Sequence, residues 1–237
     1  MTSGPVRPKL DLVMPVHNEG GAIERTLREW YAELSPAVDL RFVIAEDGSL
    51  DNTKEVLRKL EKELPMHLDM ADYRRGYAGA VVAGMSATSS PHVSVVDSDG
   101  QCDPRDFWQF WEKREEFDVI IGWRVNRRDP LARKLMSRSF GLLHRMLFHA
   151  TVHDPSCPYL LIRRSVLDKL LPVLGSLREG FWWKFVARAS RANVRFGELP
   201  VTHRDRAAGK TVVYRPSEIP GIAWRNGAGL VKIWRGR

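Results

Sequence analysis

The chain has 237 residues, 43% hydrophobic and 28% charged, with a formal net charge of +8. That length suits one α/β domain or one domain plus a short appendage, and the composition excludes a collagenous, low-complexity or disordered chain. Two cysteines, Cys102 and Cys157, form neither a disulfide framework nor a metal-ligand spacing, so a reducing compartment is expected.

The opening MTSGPVRPKL carries no apolar core of signal-peptide length, and no stretch approaches the ~18 apolar residues of a membrane span. The expectation is a cytoplasmic protein that can still lie on a membrane face. Basic residues concentrate from Arg124 to Arg138 and from Arg204 onward. Such an excess favours anionic partners. No RNA- or DNA-binding motif accompanies it, which sets nucleic acid aside.

In chain order, Leu10–Val16 is a short apolar run and predicts a strand that Pro15 ends. Residues 20–34 place Ile23, Leu27, Trp30, Tyr31 and Leu34 at helical spacing. Arg41–Asp47 predicts a second strand. Asp51 is the expected N-cap of a helix carrying Val56, Leu57, Leu60 and Leu64 on one face. Met66–Ala71 is a weak strand, and Gly76–Met85 a small-residue helix. His92–Asp97 predicts a fourth strand, Pro104 opens a tryptophan-rich helix, and Asp118–Trp123 predicts a fifth strand. Later come a helix over 131–148, a strand over Tyr159–Arg164, a helix over Phe181–Ala192 and a strand over Val194–His203.

This alternation predicts an α/β fold with a mostly parallel central sheet. In such sheets ligands sit beyond the carboxyl ends of the strands. The residues there are His17-Asn18-Glu19, Glu46-Asp47-Gly48-Ser49, Asp97-Ser98-Asp99 and Gly122-Trp123-Arg124.

Asp97-Ser98-Asp99 is the central observation. Two carboxylates two positions apart at a strand end can share one divalent cation, which Mg²⁺ chemistry completes with substrate phosphates. Gln101 can add a neutral oxygen. Asp47 can accept from a base or ribose, as acidic residues do after the second strand of dinucleotide folds. Pro15, Val16, Asn18 and Glu19 present a polar turn at the tip of the first strand. Arg75 and Gly76 open a helix where a guanidinium and free amides suit a phosphate. Each motif alone also fits an ordinary surface turn.

MPVHNE, EDGSLDNT, RRGYAGA and VDSDGQCDP, in this order, resemble glycosyltransferase family 2 with its GT-A fold. GWR, RKLMS, HDPSCPYLLIRRSVL and GELPVTHRDRAAGKT are similar to the dolichol-phosphate mannose synthase branch and its bacterial polyprenyl-phosphate relatives. The likeness runs from about Leu10 to Thr211. It implies a GT-A domain over 1–210 and a basic tail over 211–237 that can lie on an anionic membrane surface.

The resemblance also implies roles. Pro15, Val16, Asn18, Glu19, Asp47, Arg75, Gly76, Asp97, Ser98, Asp99 and Lys210 would bind the nucleotide-diphosphate sugar. Asp97, Asp99 and Gln101 would hold Mg²⁺ or Mn²⁺. Arg124, Arg133, Ser137 and Arg206 would meet the acceptor phosphate, with Asp99, Arg124 and Arg133 as catalytic groups. The implied reaction is inverting transfer to a polyprenyl phosphate at the inner membrane face. An anionic phosphate nucleophile needs positioning rather than deprotonation, and guanidinium groups pair well with it.

Two departures stand out. Cys157-Pro158-Tyr159 replaces the usual Ser/Thr-Gly-Phe, and Lys184 stands where relatives commonly carry an acid. Glu179 is the nearest carboxylate. A hydroxyl acceptor and a non-catalytic nucleotide-sugar binding protein are the alternatives these departures leave open.

Overall fold

The computed structural model describes residues 6–125, 141, 142, 144–148, 152–175, 177, 180–206 and 219–236. Its sheet contains β1 (Lys9–Val16), β2 (Asp39–Glu46), β3 (Met66–Met70), β4 (His92–Val95), β5 (Val119–Arg124), β6 (Leu160–Arg163) and β7 (Phe196–Val201). The helices are α1 (Ile23–Leu34), α2 (Thr53–Leu60), α3 (Tyr77–Ser86), α4 (Phe107–Glu112), α5 (Arg164–Leu174), α6 (Phe181–Arg191) and α7 (Ile219–Trp234).

The sheet order is β3-β2-β1-β4-β6-β5-β7. The chain leaves β1 toward β2 and β3, then returns to place β4 on the other side of β1, in parallel. Strand order therefore reverses between β1 and β4, and a crevice forms at their carboxyl ends. β6 runs antiparallel to both β4 and β5. Inserted there, it keeps β5 in the direction of β4, so Arg124 emerges at the same edge of the sheet as Asp97.

The central strands are buried on both faces, which is why β1 and β2 read as continuous apolar runs. α3 is built from small residues because it lies directly on the sheet. A Cβ at Gly84 would come within 2.6 Å of Val13 Cγ1. Below the tryptophan-rich α4, Tyr159 packs edge-on to Trp30 at 5.6 Å and against Phe110 at 4.9 Å.

Several expectations are corrected. Pro15 does not end β1: it pairs with Ala45, and the ladder continues to Val16 opposite Glu46. Val13 O accepts from Val96 on the β4 side, so Pro15, two residues on, faces the same side. There β4 pairing has already stopped at Val95, and the missing N–H of proline costs nothing. The first residue of α2 is Thr53, and Asn52 holds the cap position. Asp51 still accepts from the Thr53 amide at 3.0 Å, satisfying one orphan donor.

β4 ends at Val95 rather than Asp97, which frees Asp97 from the ladder. The helix α5, with Pro172 inside it, is absent from the sequence reading. Of the helix expected over 131–148, residues 141, 142 and 144–148 are helical and the rest lie outside the described residues. The tail contains α7, whose Leu230 and Ile233 are buried and which packs on α6.

Candidate active site

Three strand tips and one helix start meet at the β1/β4 crevice. Asp47 follows β2 and is buried, and its Oδ1 accepts from the amides of Arg75, at 2.5 Å, and Gly76, at 3.0 Å. A carboxylate at a helix start is stabilised by the free amides and by the helix dipole. The next residue, Tyr77, opens α3, and its hydroxyl donates to Asp97 Oδ1 at 2.7 Å. Residues 75–77 thus tie the tip of β2 to the tip of β4.

The loop after β1 is held from both sides. The Asn18 amide donates to Ser49 Oγ and the Glu19 amide to Thr53 Oγ1, each at 2.9 Å. His17 Nδ1 donates to Asp47 O at 2.9 Å, which leaves Nε2 to accept from Asn18 Nδ2 at 3.2 Å. Asn18 adopts φ +54°, a conformation asparagine tolerates.

Asp97 and Asp99 share the β4 tip. Burial pushes the Asp97 carboxyl up to about 7 and the Asp99 carboxylate adds to it, while the Tyr77 hydroxyl, Arg124 and Arg206 pull the other way. Burial, with Asp97 beside it, also holds the Tyr77 phenol well above its ordinary value. Asp99 Oδ1 accepts from the Gln101 amide at 3.0 Å. Arg206 bridges the crevice: one Nη donates to Glu19 Oε1, and the other lies 3.9 Å from Asp99 Oδ2. Burial raises the Glu19 pKa and Asp99 adds to it, with Arg206 opposing. The β1 and β4 tips therefore face one another across a single guanidinium.

A buried carboxylate whose ionisation its neighbour disfavours, as Asp99 does for Asp97, suits a hard divalent cation. Among the described residues no group of three or more His, Cys, Asp and Glu side chains could hold a metal ion. A Mg²⁺-type site does not require one, because substrate phosphates and water complete the shell. The donor set fits such an ion.

Other sequence-predicted residues are placed differently. Ser98 is buried and its hydroxyl donates to Pro15 O at 2.9 Å, joining β4 to β1. The Arg75 and Gly76 amides are not open to a phosphate, because Asp47 occupies them. The Arg75 guanidinium donates to Asp69 Oδ2 at 2.6 Å and to Glu46 O at 3.1 Å, locking the β3 tip. Gln101 turns its amide nitrogen to Arg204 O, at 3.1 Å, and to His203 Nε2, at 3.3 Å. Arg124 grips Asp154 through two bonds of 2.8 and 2.9 Å and Ser156 Oγ at 2.7 Å. Burial opposes the charge of Arg124, and Asp154 more than offsets it, so its pKa is raised. Arg133, Ser137, Glu179, Lys210 and Thr211 lie outside the described residues.

Four residues escape the sequence reading. Asp154 anchors Arg124. Glu198 accepts from the amides of His153 and Asp154 and so holds their loop on β7. Tyr77 donates to Asp97, and Trp182 donates to the Tyr77 oxygen. All four fall in quoted motifs or beside them, but no spacing rule links 77 to 97 or 124 to 154. Lys184 lies along the C-terminal helix: a Cβ at Gly229 would meet its Cε at 2.6 Å. Cys102 and Cys157 are free and buried, and burial pushes the Cys157 thiol up to about 12.

The fold and site define an α/β protein whose acidic side chains gather at the switch point of its sheet. The family model described as glycosyl transferase family 2 matches residues 11–171, and the chain belongs to that family. It is 30% identical over 220 residues to dodecaprenyl-phosphate galacturonate synthase of Rhizobium johnstonii, covering 88% of this chain and 63% of the relative. It is 28% identical over 216 residues to undecaprenyl-phosphate 4-deoxy-4-formamido-L-arabinose transferase of Salmonella paratyphi A, covering 85% and 61%. The chain thus spans less than two thirds of the length of both relatives. Glucosyl-3-phosphoglycerate synthase of Mycobacterium tuberculosis, solved with Mn²⁺, uridine diphosphate and phosphoglyceric acid, superposes with a TM-score of 0.68. That match covers 96% of this chain and 78% of the other at 17% identity. The fold is GT-A.

Proposed function

We propose that this chain moves a sugar from a nucleotide-diphosphate donor to a polyprenyl phosphate, with inversion, using Mg²⁺ or Mn²⁺. The observation that carries this is the Asp97/Asp99 pair facing Glu19 and Arg206 across the switch-point crevice. The two named relatives, both polyprenyl-phosphate enzymes, support the choice of acceptor.

The donor nucleoside lies along Pro15–Glu19 and Asp47. Asp97 and Asp99 would hold the cation, with Gln101 beside them. When bound, the cation offsets the negative charge that develops on the departing diphosphate. An acceptor phosphate oxygen attacks the anomeric carbon from the face opposite the diphosphate. The new C–O bond forms as the bond to the diphosphate breaks, and a nucleoside diphosphate leaves. Arg124, paired with Asp154 and bonded to Ser156, holds the β5 edge of the crevice in shape. Arg206, Arg133, Ser137 and Lys210 complete the acceptor and donor contacts. No proton has to be removed from the acceptor, so a dedicated base is unnecessary.

The lipid acceptor calls for a membrane-facing surface. No helix among the described residues is long and apolar enough to cross a membrane. Trp224 is 78% exposed on α7, next to Arg225, and Leu142 and Met146 are exposed one helical turn apart. Apolar and tryptophan side chains beside cations suit the boundary of an anionic membrane. We place the protein peripherally at the cytoplasmic face.

The test supplies purified protein with UDP- and GDP-sugars, Mn²⁺ or Mg²⁺, and a short-chain polyprenyl phosphate. A chelator-sensitive lipid-linked sugar is expected. Sugar appearing only on hydroxyl acceptors, or equal donor turnover without the lipid phosphate, overturns the proposal.

A further inference from the structure

We infer that Tyr77 is a positioning residue for the Asp97 carboxylate, held in that role by the indole of Trp182. The inference rests on the cation reading of Asp97 and Asp99 above and adds to it a support that reaches across the molecule.

The geometry fixes the direction of every bond. Trp182 Nε1 lies 2.8 Å from Tyr77 Oη, which lies 2.7 Å from Asp97 Oδ1. An indole N–H can only donate. The tyrosine oxygen therefore accepts from Trp182, and its single proton is turned to Asp97. A free tyrosine hydroxyl could swing toward water, but this one cannot do so without stranding the indole. Oδ1 of Asp97 is thereby held, and Oδ2 takes no hydrogen bond among the described residues. One oxygen oriented and one open is the arrangement a carboxylate needs to meet a cation in a fixed direction.

The indole is itself well anchored. Trp182 is buried and packs edge-on to Phe181 at 5.0 Å and Phe185 at 5.7 Å. α6 begins after Gly180, which adopts φ +63°, and a Cβ there would meet Asn226 Oδ1 of α7 at 2.4 Å. The close fit of α7 on the start of α6 thus places the indole, the indole orients the phenol, and the phenol orients the carboxylate. A packing change in the C-terminal helix reaches the β4 tip through three side chains.

A tyrosine that only fills space would make a different prediction. Tyr77 is 41% exposed, so Tyr77→Phe removes one oxygen without emptying the core. The probe is Mn²⁺ with UDP, titrated by calorimetry into the full chain and into Tyr77→Phe, Trp182→Phe, the double variant and Asp99→Ala. Tyr77→Phe is expected to stay folded with a urea midpoint lowered by ~1 M, because the buried Trp182 N–H loses its acceptor, and to bind Mn²⁺ about tenfold more weakly, the usual loss when a ligand's orienting partner is removed. Trp182→Phe is expected to lose less. The double variant is expected to bind no worse than Tyr77→Phe, because the indole acts through the phenol.

Unchanged Mn²⁺ affinity in Tyr77→Phe, or fully additive losses in the double variant, overturns the inference. Asp99→Ala separates the two readings. If it abolishes binding while Tyr77→Phe binds as the parent does, only the positioning role fails. If Asp99→Ala binds normally, the cation reading fails and takes this inference with it.

Discussion

Replacing Arg124 with methionine tests whether that residue is a free substrate contact or a structural pillar. Its side chain is 11% exposed and that of Asp154 8%, so the pair is nearly excluded from water. The guanidinium makes three close bonds, two to the carboxylate and one to Ser156 Oγ. Methionine matches much of the aliphatic volume and supplies no charge, so Asp154 would stay in place without its forked cation. Breaking a buried pair on one side typically costs ~3–5 kcal/mol. With a urea slope of ~2 kcal/mol per molar, the unfolding midpoint should fall by ~2 M.

Tryptophan fluorescence during urea denaturation reads this directly. The companion variant Asp154→Leu and the double variant complete a cycle. The double change should cost far less than the sum of the single ones, because it removes both charges together. If Arg124→Met unfolds within ~0.5 kcal/mol of the parent, the scale of a neutral surface change, the pair contributes no support and the argument fails.

Three further outcomes are expected. Asp11 is fully buried at the opposite end of β1 and takes the Arg41 fork plus the amides of Ser89 and Ser90; burial opposes its ionisation, but these bonds outweigh it and lower its pKa. Asp11→Ala should cost ~3 kcal/mol or more in urea unfolding, and the parent should lose this stabilisation only as pH falls below the ordinary aspartate range. Burial pulls the His144 pKa down from 6.5 to about 4, so the folded state resists protonation; acidification through that window should cost up to ~3 kcal/mol, and His144→Gln should flatten the pH–stability curve. Arg206→Gln should lower turnover yet tighten Mn²⁺ binding severalfold without nucleotide, since Asp99 loses a competing cation, and weaker binding would contradict the bridged crevice.

Much of the framework was legible because it follows from periodicity. Short apolar runs before polar turns marked β1, β2, β4 and β5, and the β-α alternation implied parallel pairing. Acidic residues at strand ends then pointed to the crevice. α5 was missed because its apolar run directly follows a strand of the same character, and periodicity cannot divide a continuous buried segment. β6 was recognised as a strand, but its antiparallel insertion was not, because pairing direction depends on partners far along the chain.

Which polar groups are open and which are committed was not legible at all, and the reason is geometric. Arg75 and Arg124 look alike in sequence: both are arginines beside a glycine or an aromatic residue near a site. The structure gives each a carboxylate from another segment, Asp69 at the end of β3 for one and Asp154, in the loop before β6, for the other. Arg204 is likewise paired, with Glu29 and Asp103. A crevice in which most described cations already face acids has little unassigned positive charge with which to hold two phosphorylated substrates. Arg206 differs, since at 3.9 Å its contact with Asp99 is loose and its two carboxylate neighbours come from different loops. If the proposed divalent ion binds at Asp99, Arg206 is the guanidinium it would displace from that carboxylate while the bond to Glu19 stays, and the Arg206→Gln titration reads that exchange. The net charge of +8 therefore matters less at this site than the order in which its ion pairs are broken.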